Sequence, residues 1–251
     1  MRDYVSSNKA LILAAGLGTR LAPITNDRPK SLVCVNGKPI IIKQIENLNS
    51  NGIVDITIVS GYKAEVLENV VHKIHPEVKI IESVDYATTN NMYSAYLGIK
   101  AMFPDGDIQP FYMMNADVFF DESVITALER DNRYNLVVVD VGHYIEESMK
   151  VIEKDRRLVA ISKKISPEEA LGCSIDVYKF GKDGGKAFFD RCCEYIKEKK
   201  ELKMWSEVAL NDAFGDVLFH SCPLNGRWIE IDNHEDLEIA QRIFSELVES
   251  V

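Results

Sequence analysis

The sequence predicts an α/β fold with a mainly parallel central sheet and a smaller antiparallel C-terminal part. Three observations carry this. Short apolar runs alternate with helix-periodic segments up to about Asp140, the first apolar run ends in a glycine-rich turn, and beyond Asp140 strand-like runs follow one another across polar turns. Strands alternating with helices at this spacing form βαβ units, whose parallel sheet is covered on both faces.

The elements follow in order. Ala10 to Ala15 is a continuous apolar run, as expected of a strand buried on both faces. Pro39 to Asn49 reads as a helix, with Ile41, Ile42, Ile45 and Leu48 at helical spacing and Gly52 closing it. Ile56 to Ser60 is a strand, Ala64 to His75 a helix, Val78 to Ile81 a strand, Asn91 to Met102 a helix and Phe111 to Asn115 a buried strand. In the second half, Lys150 to Ile152, Leu158 to Ser162 and Ser174 to Phe180 read as strands. A helix follows over Gly185 to Lys199, then strands at Val217 to His220 and Trp228 to Ile231. A last helix over Glu235 to Val248 sets Leu237, Ala240, Ile243, Phe244, Leu247 and Val248 on one stripe. Such a stripe suits core packing, with a homodimer seam as the alternative. No linker or repeat interrupts the chain, so residues 1–251 read as one domain whose rhythm changes near Asp140, dividing it into halves at about 9–140 and about 141–251.

The 251 residues can bury a sizeable core. A formal net charge of −10 argues against a nucleic-acid backbone as partner, while leaving room for a single phosphate site built from a few local cations. Five cysteines without a C-x-x-C suit thiols in a reducing compartment. Met1 to Lys9 lacks an apolar core, and no apolar run reaches membrane-spanning length, so the expectation is a cytoplasmic protein with no membrane partner.

The most informative stretch is Leu13-Ala14-Ala15-Gly16-Leu17-Gly18-Thr19-Arg20-Leu21. A buried strand running into two glycines lets backbone N–H groups approach phosphate oxygens closely. It is not a dinucleotide fingerprint, because Leu21 stands at the third glycine position and Pro23 follows; nor is it a G-x-x-x-x-G-K-[ST] loop. Arg20, and Lys30 within Arg28-Pro29-Lys30-Ser31-Leu32, add two cations suited to a triphosphate.

L-A-A-G-L-G-T-R-L with a downstream P-K resembles the signature of the sugar-nucleotide pyrophosphorylase superfamily of nucleotidyltransferases. Bacterial choline-phosphate and 2-aminoethylphosphonate cytidylyltransferases are the members it looks most like. The resemblance implies a Rossmann-like three-layer α/β/α nucleotide-diphospho-sugar transferase fold. It also implies that Leu13 to Thr19 hold the nucleotide and that Arg20 and Lys30 contact its phosphates.

Asp117 stands just past the end of the strand Phe111 to Asn115, and Asp232 at the end of Trp228 to Ile231. Open α/β sheets build their sites at such strand ends, and two carboxylates suffice for Mg2+ alongside water and substrate phosphates. In the resembled family, aspartates at both motif positions hold the metal. Some relatives carry an aspartate where this chain has Asn115, which would offer a neutral hydrogen bond instead.

A phosphomonoester has a second pKa of about 6, so the acceptor oxygen is already anionic and no general base is required. None is visible: G-x-S-x-G is absent and the histidines form no metal-like pair. The expected reaction is in-line displacement at the α-phosphorus with Arg20, Lys30 and Asp117 as catalytic groups. Lys150 matches a frequent lysine of the family's acceptor side. The stretch Asn90-Asn91-Met92-Tyr93-Ser94 looks like the N-N-x-Y-S of choline-phosphate cytidylyltransferases, which favours CTP, with Asn91 and Ser94 available to the base. Tyr93, Asp176 and Trp205 are candidates for an acceptor pocket, since a carboxylate beside aromatic faces suits an amine; aromatic core packing with a paired Asp176 is the alternative.

The expected activity is Mg2+-dependent cytidylyl transfer from CTP to phosphocholine, 2-aminoethylphosphonate or a similar small phosphate. The alternatives are a sugar-1-phosphate or inositol-1-phosphate nucleotidylyltransferase and, more remotely, a non-catalytic nucleotide-sensing module.

Overall fold

The computed structural model describes residues 7–144 and 147–245. In chain order the elements are β1 (Lys9–Ala14), β2 (Cys34–Val35), β3 (Lys38–Pro39), α1 (Ile40–Ser50), β4 (Asp55–Ser60), α2 (Ala64–Ile74), β5 (Lys79–Glu82), α3 (Asn91–Met102), β6 (Phe111–Asn115), β7 (Val118–Phe120) and α4 (Ser123–Arg130). They continue with β8 (Leu136–Val141), β9 (Lys150–Lys154), β10 (Arg157–Ser162), β11 (Gly172–Phe180), α5 (Lys182–Cys193), α6 (Ser206–Ala213), β12 (His220–Pro223), β13 (Trp228–Glu230) and α7 (His234–Ile243).

One nine-stranded sheet runs in the order β10-β9-β11-β6-β1-β4-β5, with β8 joined to β11 and β12 to β8. The strands β6, β1, β4 and β5 are parallel, whereas β11 runs antiparallel to β6, β8 and β9. The parallel block and the antiparallel extension match the expected mixed α/β fold. Alternation along β1 explains why the strand is apolar throughout. Ala10, Ile12 and Ala14 enter a core with Ile41 and Ile45 of α1 and Leu67 and Val71 of α2. Leu11 and Leu13 enter the opposite core with Met92, Ala95 and Ile99 of α3 and Phe188 of α5. Successive strand residues face opposite layers, so a strand between two helical layers needs an unbroken apolar run. At Gly98 a Cβ would stand 2.3 Å from Leu11 Cδ1, so glycine there lets α3 lie close against the sheet.

Several boundaries differ from expectation. β12 begins at His220 rather than Val217, because Val217 N still donates to Ala213 O at the end of α6 and the ladder with β8 starts at His220 opposite Leu136. The expected helix over Gly185 to Lys199 starts earlier, at Lys182, and its last turn, Glu194–Glu198, widens into a π-helix. α7 begins at His234 under a capping box of Asn233 and Asp236 and ends at Ile243. Leu237, Ala240 and Phe244 are buried with Leu21, Val33 and Phe119, so the described part of this stripe is core packing. Leu247 and Val248 lie outside the described residues. The short helices α4 and α6 and strands β2, β3, β7 and β8 were not anticipated. No helix among the described residues is long and apolar enough to cross a membrane.

Candidate active site

A cleft with a cavity volume of about 310 Å³ opens over the carboxyl ends of β1 and β6, walled by the glycine loop, the start of α3 and the Trp205–Glu207 segment. The turn carrying Asp117 is fixed from below. Gln44 of α1, fully buried, donates from Nε2 to the carbonyl oxygens of Asn115 (2.9 Å) and Val118 (2.8 Å). Asn47, one turn on, donates to Phe120 O at 2.9 Å. The backbone closes the turn: Ala116 N donates to Leu13 O and Ile231 N to Asp117 O. Asp232 is held by its own backbone, whose N–H donates to Asp236 Oδ2 at 2.9 Å.

The glycine loop does not open an α-helix. Gly18 has φ +63°, and the chain passes through three short 3-10 turns, of which Thr19–Leu21 carries Arg20 and Lys30–Leu32 carries Lys30. A Cβ at Gly18 would stand 2.8 Å from Lys30 Cβ, so glycine satisfies both the left-handed backbone and the close approach of the lysine turn. That approach delivers Lys30 to the two aspartates. Its Nζ lies 3.0 Å from Asp117 Oδ2 and is also hydrogen-bonded to Asp232 Oδ1, while Arg20 Nη2 lies 2.7 Å from Asp232 Oδ2. Burial works against the ammonium of Lys30, yet Asp117 and Asp232 hold its pKa above the ordinary value. Burial likewise opposes the charge of Asp232, but Lys30 and Arg20 keep its carboxyl below the ordinary value.

Asp117, Glu230 and Asp232 each offer an oxygen within 4.8 Å of the others. Asp117 Oδ1 is buried and has no hydrogen-bond partner among the described residues. An unpaired buried acceptor costs about 1–3 kcal/mol, more when charged, so an oxygen left this way fits a site that receives a cation. An all-oxygen donor set suits a hard divalent ion such as Mg2+. Burial, then Asp117, Asp176 and Asp232, push Glu230 up to about 9, as expected where carboxylates crowd one another. Glu230 was not anticipated, although its position two residues before Asp232 in an extended segment puts the two side chains on one face.

The opposite wall rests on a bulge. Pairing of β11 with β8 slips between Ser174 and Tyr178, and Asp176 within the slip has φ +58°. A bulge re-aims a side chain, and aspartate tolerates the left-handed region better than most residues. Asp176 thereby faces the cleft and accepts from Asn115 Nδ2 and Tyr178 Oη, both at 2.9 Å. Tyr178 Oη also lies 3.3 Å from Glu207 Oε1, which accepts from Ser206 Oγ at 3.0 Å. Burial, then Glu207 and Asp117, raise Asp176 to about 8, and burial raises Glu207 as well. The cleft thus has a basic-acidic cluster at the glycine loop and an acidic floor at the far end.

Leu13, Ala15, Gly16, Arg20, Asn91, Ser94, Asp117, Asp176, Trp205 and Asp232 all line the cleft, and Lys30 reaches its aspartates. Ala14, Leu17, Gly18 and Thr19 belong to the same strand and loop but are not part of the lining. Asn91, expected at the base, has its Oδ1 engaged by Ser206 N at 2.8 Å and thereby anchors the start of α6. Asn90 donates its N–H to Leu202 O, so the Asn-Asn pair ties α3 to the wall that carries Trp205 and Glu207. Tyr93 and Lys150 are not brought to the lining. The Tyr93 hydroxyl donates to Asp85 Oδ2 at 3.3 Å and its ring packs against Tyr96. Lys150 is buried in β9, with Nζ 3.4 Å from Ser148 O. Lys163, Glu147, Glu207 and Glu230 line the cleft without having been singled out.

Residues 9–152 match the family model described as nucleotidyl transferase. The choline-phosphate cytidylyltransferase of Streptococcus pneumoniae is 51% identical over 89 residues, covering 36% of this chain and 38% of that protein. The CTP:phosphoglutamine cytidylyltransferase of Campylobacter jejuni is 27% identical over 92% of this chain and 98% of its own length. The bifunctional protein GlmU of Methanocaldococcus jannaschii is 28% identical over 91% of this chain, which spans only about half, 52%, of that relative. Among solved structures, the S. pneumoniae CTP:phosphocholine cytidylyltransferase superposes with a TM-score of 0.75 at 27% identity, covering 94% of this chain and 98% of that one.

Proposed function

The chain belongs to the nucleotidyl transferase family, and on that premise we propose that it transfers the cytidylyl group of CTP to a small phosphorylated or phosphonylated acceptor bearing an amine, releasing pyrophosphate. The observation that carries this reading is the pairing of two features across one cleft. Arg20 and Lys30 meet Asp117 and Asp232 at the glycine loop, and the acidic pair Asp176 and Glu207 stands beside Trp205 opposite them. The cytidylyltransferases among the relatives support CTP as the nucleotide.

Asp117 and Asp232, with Glu230 as a third oxygen donor, would hold Mg2+. When bound, it supplies charge neutralisation and polarisation at the reacting phosphate. The chain's own groups do the rest. Lys30 is 13% exposed and fixed between two carboxylates, so its charge is oriented before substrate arrives and needs little reorganisation as charge develops on the departing pyrophosphate. Arg20, 59% exposed, is free to turn its planar guanidinium onto phosphate oxygens in a two-pronged contact. The acceptor phosphate is dianionic near neutrality, so its oxygen attacks without a general base. Burial holds Asp176 and Glu207 towards their neutral forms, and an arriving ammonium favours their charged forms, with the proton released to solvent, so that the pair orients the acceptor's phosphate for in-line approach. Residues 9–140 and 141–251 then act as the nucleotide and acceptor halves of one catalytic domain, in the cytoplasm where CTP is supplied.

The test is pyrophosphate release with Mg2+ across CTP, UTP, dTTP, ATP and GTP. Each is paired with phosphocholine, 2-aminoethylphosphonate, phosphoethanolamine, glucose-1-phosphate and inositol-1-phosphate. Turnover confined to CTP and aminated acceptors supports the reading; turnover only with sugar or inositol phosphates sinks it.

A further inference from the structure

The far end of the cleft contains a cation that the reaction itself does not require. Lys163, just past the end of β10, lines the cleft and holds its Nζ 4.9 Å from the ring centroid of Trp205. Trp205 is 46% exposed and lines the same wall. An ammonium over a tryptophan face is the arrangement by which proteins recognise cationic ligands. Here the chain's own lysine takes that face.

The consequence for a ligand follows from charge. An acceptor whose only charged group beyond its phosphate is an ammonium would find the aromatic face covered and a like charge above it. A sugar phosphate would leave both the acidic floor and the lysine unmatched. An acceptor with an ammonium and a carboxylate satisfies both: its ammonium favours the charged forms of Asp176 and Glu207 and pairs with them, and its carboxylate pairs with Lys163. Lys163 is exposed, so it can leave the ring for a carboxylate at little cost, whereas Asp176 and Glu207 are fixed by Tyr178, Ser174 and Ser206.

We propose that the acceptor is a phosphorylated zwitterion, an amino acid-like phosphate, and that Lys163 is the residue that selects it. This rests on the cytidylyl-transfer reading and narrows its acceptor. The side chain acts by ionic contact with the substrate's carboxylate and takes no part in bond making.

Two measurements test it on the full chain. The first is acceptor binding without nucleotide, followed by tryptophan fluorescence and calorimetry, with O-phospho-L-serine and phosphoethanolamine as probes that differ by one carboxylate. The wild-type protein is expected to bind O-phospho-L-serine at least about tenfold more tightly. Lys163→Met should bring the two affinities within about twofold, and Lys163→Arg should keep the preference. Equal affinities in the wild-type protein, or a preference that survives in Lys163→Met, would overturn the proposal. The second is pyrophosphate release from CTP with the same probes and phosphocholine. A binding preference without release from any nucleotide would sink cytidylyl transfer while leaving the acceptor class standing; release that favours phosphocholine would sink the acceptor class alone.

Discussion

Lys30 Nζ lies 3.0 Å from Asp117 Oδ2, although 87 residues separate them in sequence. On the proposed reading the contact joins a cation for the phosphates to a carboxylate for the metal. It depends on Gly18, which lets the lysine turn pack against the glycine loop. Lys30→Met keeps the length of the side chain and removes its charge. It should lower kcat/KM by about 10²–10³-fold, the usual loss when one pre-oriented electrostatic group is removed. Steady-state pyrophosphate release checks this, with circular dichroism confirming the fold.

The same substitution has a stability signature. Lys30 and Arg20 hold the pKa of Asp232 below its unfolded value, so the stabilisation from this pairing is present above the unfolded carboxylate range near pH 4. It is lost as pH falls through the lower folded value. The wild-type midpoint of urea unfolding should therefore drop below about pH 4, and that drop should be smaller in Lys30→Met. An equal acid dependence in both proteins would show that the pairing is not coupled to folding.

Asp176 has the opposite sign. Burial and its acidic neighbours raise it to about 8, so its protonated form is favoured in the fold, and stability is progressively lost as pH rises from about 4 towards 8. Asp176→Asn removes the buried charge and can keep the Tyr178 contact, with the Asn115 amide rotating to accept. Its melting temperature relative to wild type should increase between pH 5 and pH 8. A constant difference across that range would rule out the raised pKa.

Gln44 carries no charge and is fully buried outside the cleft lining, yet its amide supports the turn that carries Asp117. Gln44→Leu would leave the carbonyl oxygens of Asn115 and Val118 without their buried donor, at about 1–3 kcal/mol each. The expected result is destabilisation of about 2–4 kcal/mol by denaturant titration, with kcat falling more than KM rises. A shift in KM alone would separate Gln44 from the positioning of Asp117.

The pattern of residues made parts of this site legible and hid others. β1, α3 and β6 were readable because buried strands and capped helices write continuous or periodic apolar patterns. Asp117 and Asp232 were readable because each follows such a strand. Glu230 was within reach, since a two-residue offset in an extended segment shares a face. Asp176 is a pocket candidate from its charge alone, but how it reaches the cleft is not legible: the slipped pairing of β11 turns it there, and no local pattern marks a slipped register. Lys150 and Lys163 show the same limit. Both are lysines of the second half, yet β9 buries one and the loop after β10 presents the other to the cleft. Asn91, one of the candidates for the nucleotide base, lines the cleft, and its Oδ1 also accepts from Ser206 N, a contact between residues 115 positions apart that no local pattern shows.

Phosphorus NMR of one mixture, CTP with Mg2+ and an amine-bearing phosphate acceptor, addresses the reaction itself. Equal amounts of pyrophosphate and a new cytidylylated diphosphate, formed by the wild-type protein and absent with Asp117→Asn, are the predicted result. No product from CTP, alongside turnover of another nucleotide with a hexose-1-phosphate, would contradict cytidylyl transfer to an aminated acceptor.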